Sequence, residues 1–157
     1  LGEYPERAES RANRLDQRRI CPDHLAHAPK FPKPVIWYYR KMEIKIVKKS
    51  IKKSEVILMA NAEFGDVVKA VVDVEQEIMA IGGELHADEE VLLSEEEGSQ
   101  RKDTWGINIY PNKPESEWIE FDSMVNLKPN LGNRSRDVEN PETRKNILNI
   151  VKKLIED

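Results

Sequence analysis

The chain changes character at Met42. Before it, apolar residues are scattered with no sustained period of 2 or 3.6; after it, they recur in ordered runs. Glu43–Lys48 sets Ile44 and Ile46 against Lys45 and Lys48, the alternation of a half-buried strand. Ser54 stands as an N-cap for a helix to about Phe64, stopped by Gly65, although Val56–Ala60 alone fits a strand equally well. Val67–Val74 and Ile78–Gly82 are two β-rich runs on either side of Glu75-Gln76-Glu77, which predicts a hairpin. Asp88–Glu97 predicts a short acidic helix closed by Gly98. Thr104–Tyr110 and Glu117–Lys128 predict a second strand pair around the turn Pro111-Asn112-Lys113-Pro114. In the last element Asn140 caps and Pro141 takes the first helical position. Ile147, Ile150, Val151 and Leu154 then line one face of that helix.

The predicted order is β-α-β-β-α-β-β-α. Five mostly hairpin-linked strands favour an α+β fold with a largely antiparallel sheet and the helices on one face. No internal repeat or low-complexity tract interrupts it. The longest apolar runs, Val56–Ala60 and Ile78–Ile81, fall far short of the roughly 20 residues that cross a bilayer, so no membrane partner is expected. The first residues lack the basic region, apolar core and cleavage site of a secretory signal. Cys21 is the only cysteine, which excludes a disulfide framework and makes the cytoplasm the expected compartment.

Charge divides the chain at the same point as hydropathy. Residues 1–41 carry a net charge of +4 and residues 42–157 a net charge of −8. The first segment also holds five of the nine prolines and buries too little apolar surface to offset the entropy of ordering it. We therefore expect a disordered, basic, proline-rich extension over residues 1–41, with Met42 as the natural start of a single α+β domain over 42–157. A basic arm that contacts nucleic acid or a protein partner is the alternative. The acidic domain is a poor general binder of nucleic acid, because cationic side chains on phosphates dominate that affinity.

Three stretches hold candidate chemistry. Gly82-Gly83-Glu84-Leu85-His86-Ala87-Asp88 places the only histidine of residues 42–157 beside carboxylates. In an extended loop Glu84, His86 and Asp88 would point the same way, as a catalytic acid–base cluster or a seat for a divalent cation. Asp88, Glu89 and Glu90 also suit the first turn of a helix against its dipole, with His86 as a cap. The second stretch, Lys128–Arg136, offers Asn133, Arg134, Ser135 and Arg136, an anion-binding set just before the capped helix at Asn140. Pairing of its arginines with Asp88–Glu90 or Asp137 is the competing role. The third set lies on the predicted strands, where Asn108, Tyr110, Asp122 and Asn126 share polar faces and stand ready to meet the other two. Both motif loops lead into helix starts, so His86 and Arg134 are expected at the same end of the sheet. Phosphate-binding glycine loops, G-x-S-x-G elbows and Cys–His pairs are absent from residues 42–157.

The segments Phe64–Asp73, Ile78–Glu90, Trp105–Pro111, Trp118–Asn126 and Gly132–Arg136 together resemble a small family of uncharacterised bacterial and archaeal proteins, a domain of unknown function. The resemblance covers Met42–Ile155 and implies a compact domain that begins near Met42. Two functions stand on the residues. One is a binding module whose arginine loop grips an anionic ligand on a nucleotide, nucleic acid or protein. The other is a small hydrolase built on His86 with Glu84 and Asp88, with or without a divalent cation.

Overall fold

In the computed structural model the described residues are 43–157, and the extension expected over residues 1–41 lies outside them. The strands are β1 (Lys45–Val47), β2 (Ile51–Lys52), β3 (Val68–Asp73), β4 (Ile78–Ile81), β5 (Thr104–Ile109), β6 (Ile119–Glu120) and β7 (Ile155–Glu156). The helices are α1 (Lys53–Glu63), α2 (His86–Glu97) and α3 (Pro141–Leu154). The fold is α+β, with a five-stranded antiparallel sheet in the order β1-β4-β3-β5-β6. Two-residue strands β2 and β7 form a separate parallel pair, an addition to the expected order.

The expectation that every helix packs on one face needs correction. Val68, Ala70 and Val72 of β3, Met79 and Ile81 of β4, and Ile107 and Ile109 of β5 face a core completed by α1 and α3. Val71, Ile78 and Ala80 face the other way, against Leu93 of α2 and Val125. Strand β4 and the stretch Ala70–Val72 of β3 carry apolar residues at successive positions rather than alternate ones, so both faces of the sheet are covered there. The helices accordingly divide between the faces.

Local chemistry sets the elements. Asn140 caps α3 as expected, its Oδ1 accepting from the Glu142 and Thr143 N–H groups at 2.8 and 3.2 Å. Ile147, Ile150, Val151 and Leu154 of α3 are buried. The β3–β4 hairpin is held by Asp73, whose Oδ1 accepts from Glu75 N–H at 2.9 Å and Gln76 N–H at 3.0 Å. Ser54 lies inside α1 rather than capping it.

The predicted strand Glu117–Lys128 shortens to the two residues of β6, followed by a 3-10 turn at Met124–Asn126. Two side chains explain the departure. Ser123 Oγ accepts from Val125 N–H at 3.4 Å, and the Asn126 amide takes over the pairing that a continuing strand would make. Gly106 N–H donates to Asn126 Oδ1 at 2.8 Å, while Asn126 Nδ2 donates to the Gly106 and Arg136 carbonyls, each at 2.9 Å. The Lys128 ammonium then donates to the Thr104 carbonyl and lies 4.1 Å from the centre of the Trp105 ring. Burial lowers the Lys128 pKa to about 8, so the amine stays charged at neutral pH.

Two substitutions test this account. Leu154→Ala removes a side chain that is 1% exposed and should cost about 2–5 kcal/mol in chemical denaturation. Asn126→Ala leaves Gly106 N–H, Gly106 C=O and the Arg136 carbonyl without their side-chain partner. At about 1–3 kcal/mol per unsatisfied buried group, the expected loss is on the order of 3 kcal/mol or more.

Candidate functional site

On the α2 face of the sheet lies a hollow of about 290 Å³. Its polar lining comes from Lys69 on β3, His86 at the start of α2, Asn108 on β5, Asp122 after β6, and Arg136. Lys69 and Asn108 are cross-strand partners, so their side chains rise side by side from the sheet floor. Leu85 and Met124 stand at its rim and are 57% and 62% exposed, which gives a polar floor an apolar lip.

The approach of residues 122–125 to the sheet depends on Gly106. A Cβ there would meet Ser123 Oγ at 2.4 Å, Ser123 Cβ at 2.6 Å and Val125 Cγ2 at 2.8 Å. No side chain fits in that space, so the missing Cβ lets the chain after β6 lie on β5 and carry Asp122 into the hollow. Gly83 has the same function at the opposite wall. Its would-be Cβ falls 2.9 Å from Glu89 Cγ, so the loop before α2 sits directly on the first turn of that helix.

His86 Nε2 lies 2.9 Å from the Ile107 carbonyl oxygen and must therefore carry the proton that it donates. In the neutral ring Nδ1 then holds a lone pair, and no protein group among the described residues donates to it. Burial is the largest influence on this ring and pushes its pKa below the usual 6.5. The Ile107 hydrogen bond and Asp122 oppose that shift, while Lys69 and Arg136 reinforce it. Arg136 Nε lies 2.7 Å from Asp122 Oδ1 as an ion pair. Lys69 Nζ donates to the Glu84 carbonyl at 2.5 Å and stands 4.6 Å from the Phe64 ring centre. Asn108 Nδ2 donates to Glu120 Oε2 at 3.0 Å.

The expected convergence of the two motif loops is met by Arg136, not by Arg134. Arg134 points to solvent outside the hollow, and its N–H donates to Glu139 Oε1 at 3.0 Å. Ser135 also bonds Glu139, holding that carboxyl below its ordinary range. Asn126 and Asn133 are buried framework residues. The Asn133 amide donates to the Asn126, Ser135 and Asp137 carbonyls at 2.8, 3.1 and 2.7 Å, and its Oδ1 accepts from Glu139 N–H at 2.8 Å. Tyr110 lies beyond the hollow, its hydroxyl donating to Glu120 Oε2 at 3.1 Å.

Glu84, His86 and Asp88 do not point the same way. His86 and Asp88 belong to α2, where side chains two positions apart diverge, and Glu84 and Asp88 are both exposed. No group of three or more His, Cys, Asp or Glu residues is arranged to hold a metal ion among the described residues. Sequence reasoning missed Lys69 and Gly106. Each carried a signal: a lone lysine within the apolar run Val67–Val74, and a lone glycine within a strand, where close backbone approach is the usual cause.

The lowered pKa of His86 fixes a sign. Stability that depends on the neutral ring is full above pH 6.5 and lost as pH falls through the depressed value. Nuclear magnetic resonance titration of the ring, assigned with His86→Gln, should give a midpoint below 6.5. The midpoint should rise in Arg136→Ala, because a neighbouring positive charge has been removed.

No helix of the described residues is long and apolar enough to cross a membrane. No curated protein and no solved structure matches this chain. Over residues 45–154 the sequence matches the family described as "Protein of unknown function (DUF5674)", and the chain belongs to that family.

Proposed function

We propose that this protein is a small binding module and that the hollow between α2 and residues 122–125 takes a ligand bearing a phosphate or carboxylate group. One observation carries the reading: Lys69 and Arg136, brought from separate parts of an acidic domain, converge on a single polar floor. The ion pair of Arg136 Nε with Asp122 orients the guanidinium and leaves its two terminal nitrogens to face an anion. Lys69 spends one of its three donors on the Glu84 carbonyl. His86 Nδ1 is an acceptor in this frame, suited to a hydroxyl or amine next to the anionic group. The exposed Leu85 and Met124 suit an apolar portion of the same ligand. The absence of cysteine from residues 42–157 suits a cytoplasmic setting.

A hydrolase is the second reading, and the open Nδ1 of His86 favours it. The ring is held in one tautomer and kept neutral by its surroundings, as a general base requires. Arg136 and Lys69 would stabilise the charge that develops on the substrate. Turnover of generic phosphate and carboxylate esters, abolished by His86→Gln, would favour this reading over simple binding.

Calorimetric titration with inorganic phosphate, a nucleoside monophosphate and a small carboxylate tests the binding reading. Loss of one charged hydrogen bond costs about 1.5–3 kcal/mol, so Arg136→Ala should weaken binding about ten- to a hundredfold. Arg134→Ala, outside the hollow, should leave it unchanged. Equal losses in the two variants would mean that the arginine loop acts only through its net charge.

A further inference from the structure

Behind the wall of the hollow lie two carboxyl groups that the binding reading does not use. Glu63 is the last residue of α1, and Glu89 is fully buried in the first turn of α2. Both flank the Gly82-Gly83 turn. A Cβ on Gly82 would stand 3.8 Å from Glu63 Oε1, and the Gly83 N–H donates to Glu89 Oε1 at 2.9 Å. Both oxygens of Glu63 and the Oε2 of Glu89 are buried, yet no protein group donates to them. Three carboxyl oxygens withdrawn from water without donors make the ionised form costly. A bound proton removes that cost; a metal ion would need further ligands, and the described residues provide no such group.

The surrounding charges favour the same outcome. Lys69 is a cation acting on both carboxyls, but burial outweighs its charge at each. Glu84 repels Glu63, while Asp88 and Glu63 repel Glu89. Glu63 also sits at the negative end of the α1 dipole. Glu89 benefits from the positive end of α2 and from Gly83, but burial outweighs both.

We infer that Glu63 and Glu89 form a buried proton-binding pair that latches the Gly82-Gly83 turn. With both protons bound the two carboxyls stay buried beside the turn at no cost in charge; their ionisation makes that burial unfavourable and loosens the turn together with Leu85 and His86, which line the hollow. The direction of the pH dependence follows from the shifts. Burial raises Glu63 from 4.5 to about 7 and Glu89 well above its ordinary value. The stabilisation is complete below about pH 4.5 and is lost as pH rises through 7 and beyond. His86 and Lys128, whose pKa values are lowered, change stability in the opposite sense. The carboxyl contribution is therefore isolated by difference against a variant.

Glu63→Gln combined with Glu89→Gln keeps the side-chain size and an oxygen for Gly83, and imitates the protonated pair. Thermal unfolding of the full chain and of this variant should give similar midpoints at pH 5. By pH 8 the variant should be the more stable protein. Hydrogen exchange at the Gly83, Leu85 and His86 amides should accelerate between pH 6 and 8 by more than the intrinsic tenfold per unit in the parent, but not in the variant. A pH-independent difference between the two proteins would overturn the inference. So would a divalent cation that raises the parent's midpoint at pH 8 and leaves the variant's unchanged. None of these measurements involves a ligand, so the latch and the anion-binding reading fail independently.

Discussion

Strand β5 pairs with β3 along its whole length, whereas on its other side β6 supplies only two residues. The remaining outward N–H and C=O groups need partners, because a buried backbone group without one costs free energy comparable to a lost hydrogen bond. Asn126 meets both groups of Gly106 and Lys128 meets the Thr104 carbonyl. A side-chain amide thus stands in for a peptide unit, with the same donor and acceptor in the same plane. Much of the α2 face depends on that substitution. It pins residues 122–126 to the sheet, and through the Arg136 carbonyl it also fixes the loop that carries the Arg136 side chain.

The parts of the fold legible in sequence are those whose signals are local. Asn140, Pro141 and the spacing of Ile147, Ile150, Val151 and Leu154 define α3 without reference to anything else. The β3–β4 hairpin follows from two apolar runs and a polar turn. Residues Glu117–Lys128 look like a strand because Ile119, Phe121, Val125 and Leu127 keep a period of two. The side chains of Ser123 and Asn126 bond to backbone instead, a competition that hydropathy alone does not register. The distribution of helices was legible in principle, because a run such as Ile78–Ile81 has no polar side to leave in water.

Of the residues singled out in the sequence, His86, Asn108, Asp122 and Arg136 line the hollow, a partition from the rest that the sequence does not reveal. Arg134 and Arg136 have identical chemistry two positions apart, and only the path of the chain between Asn133 and Glu139 decides which one faces the sheet. Asn126 and Asn133 share the residue type of a ligand-binding side chain, yet their amides are occupied by backbone. A buried asparagine is a structural or a functional residue according to its unspent hydrogen bonds, and these emerge only in three dimensions.

The parallel pairing of β2 with β7 joins Ile51 to Ile155, positions about a hundred residues apart. Loop closure over such a separation is entropically expensive, so this contact raises the contact order of the fold. The β3–β4 hairpin is the most local pairing of the sheet. The strand that leads into α1 and the strand that leaves α3 thus close the domain by a seam only two residues long, joining segments near the two ends of its described residues.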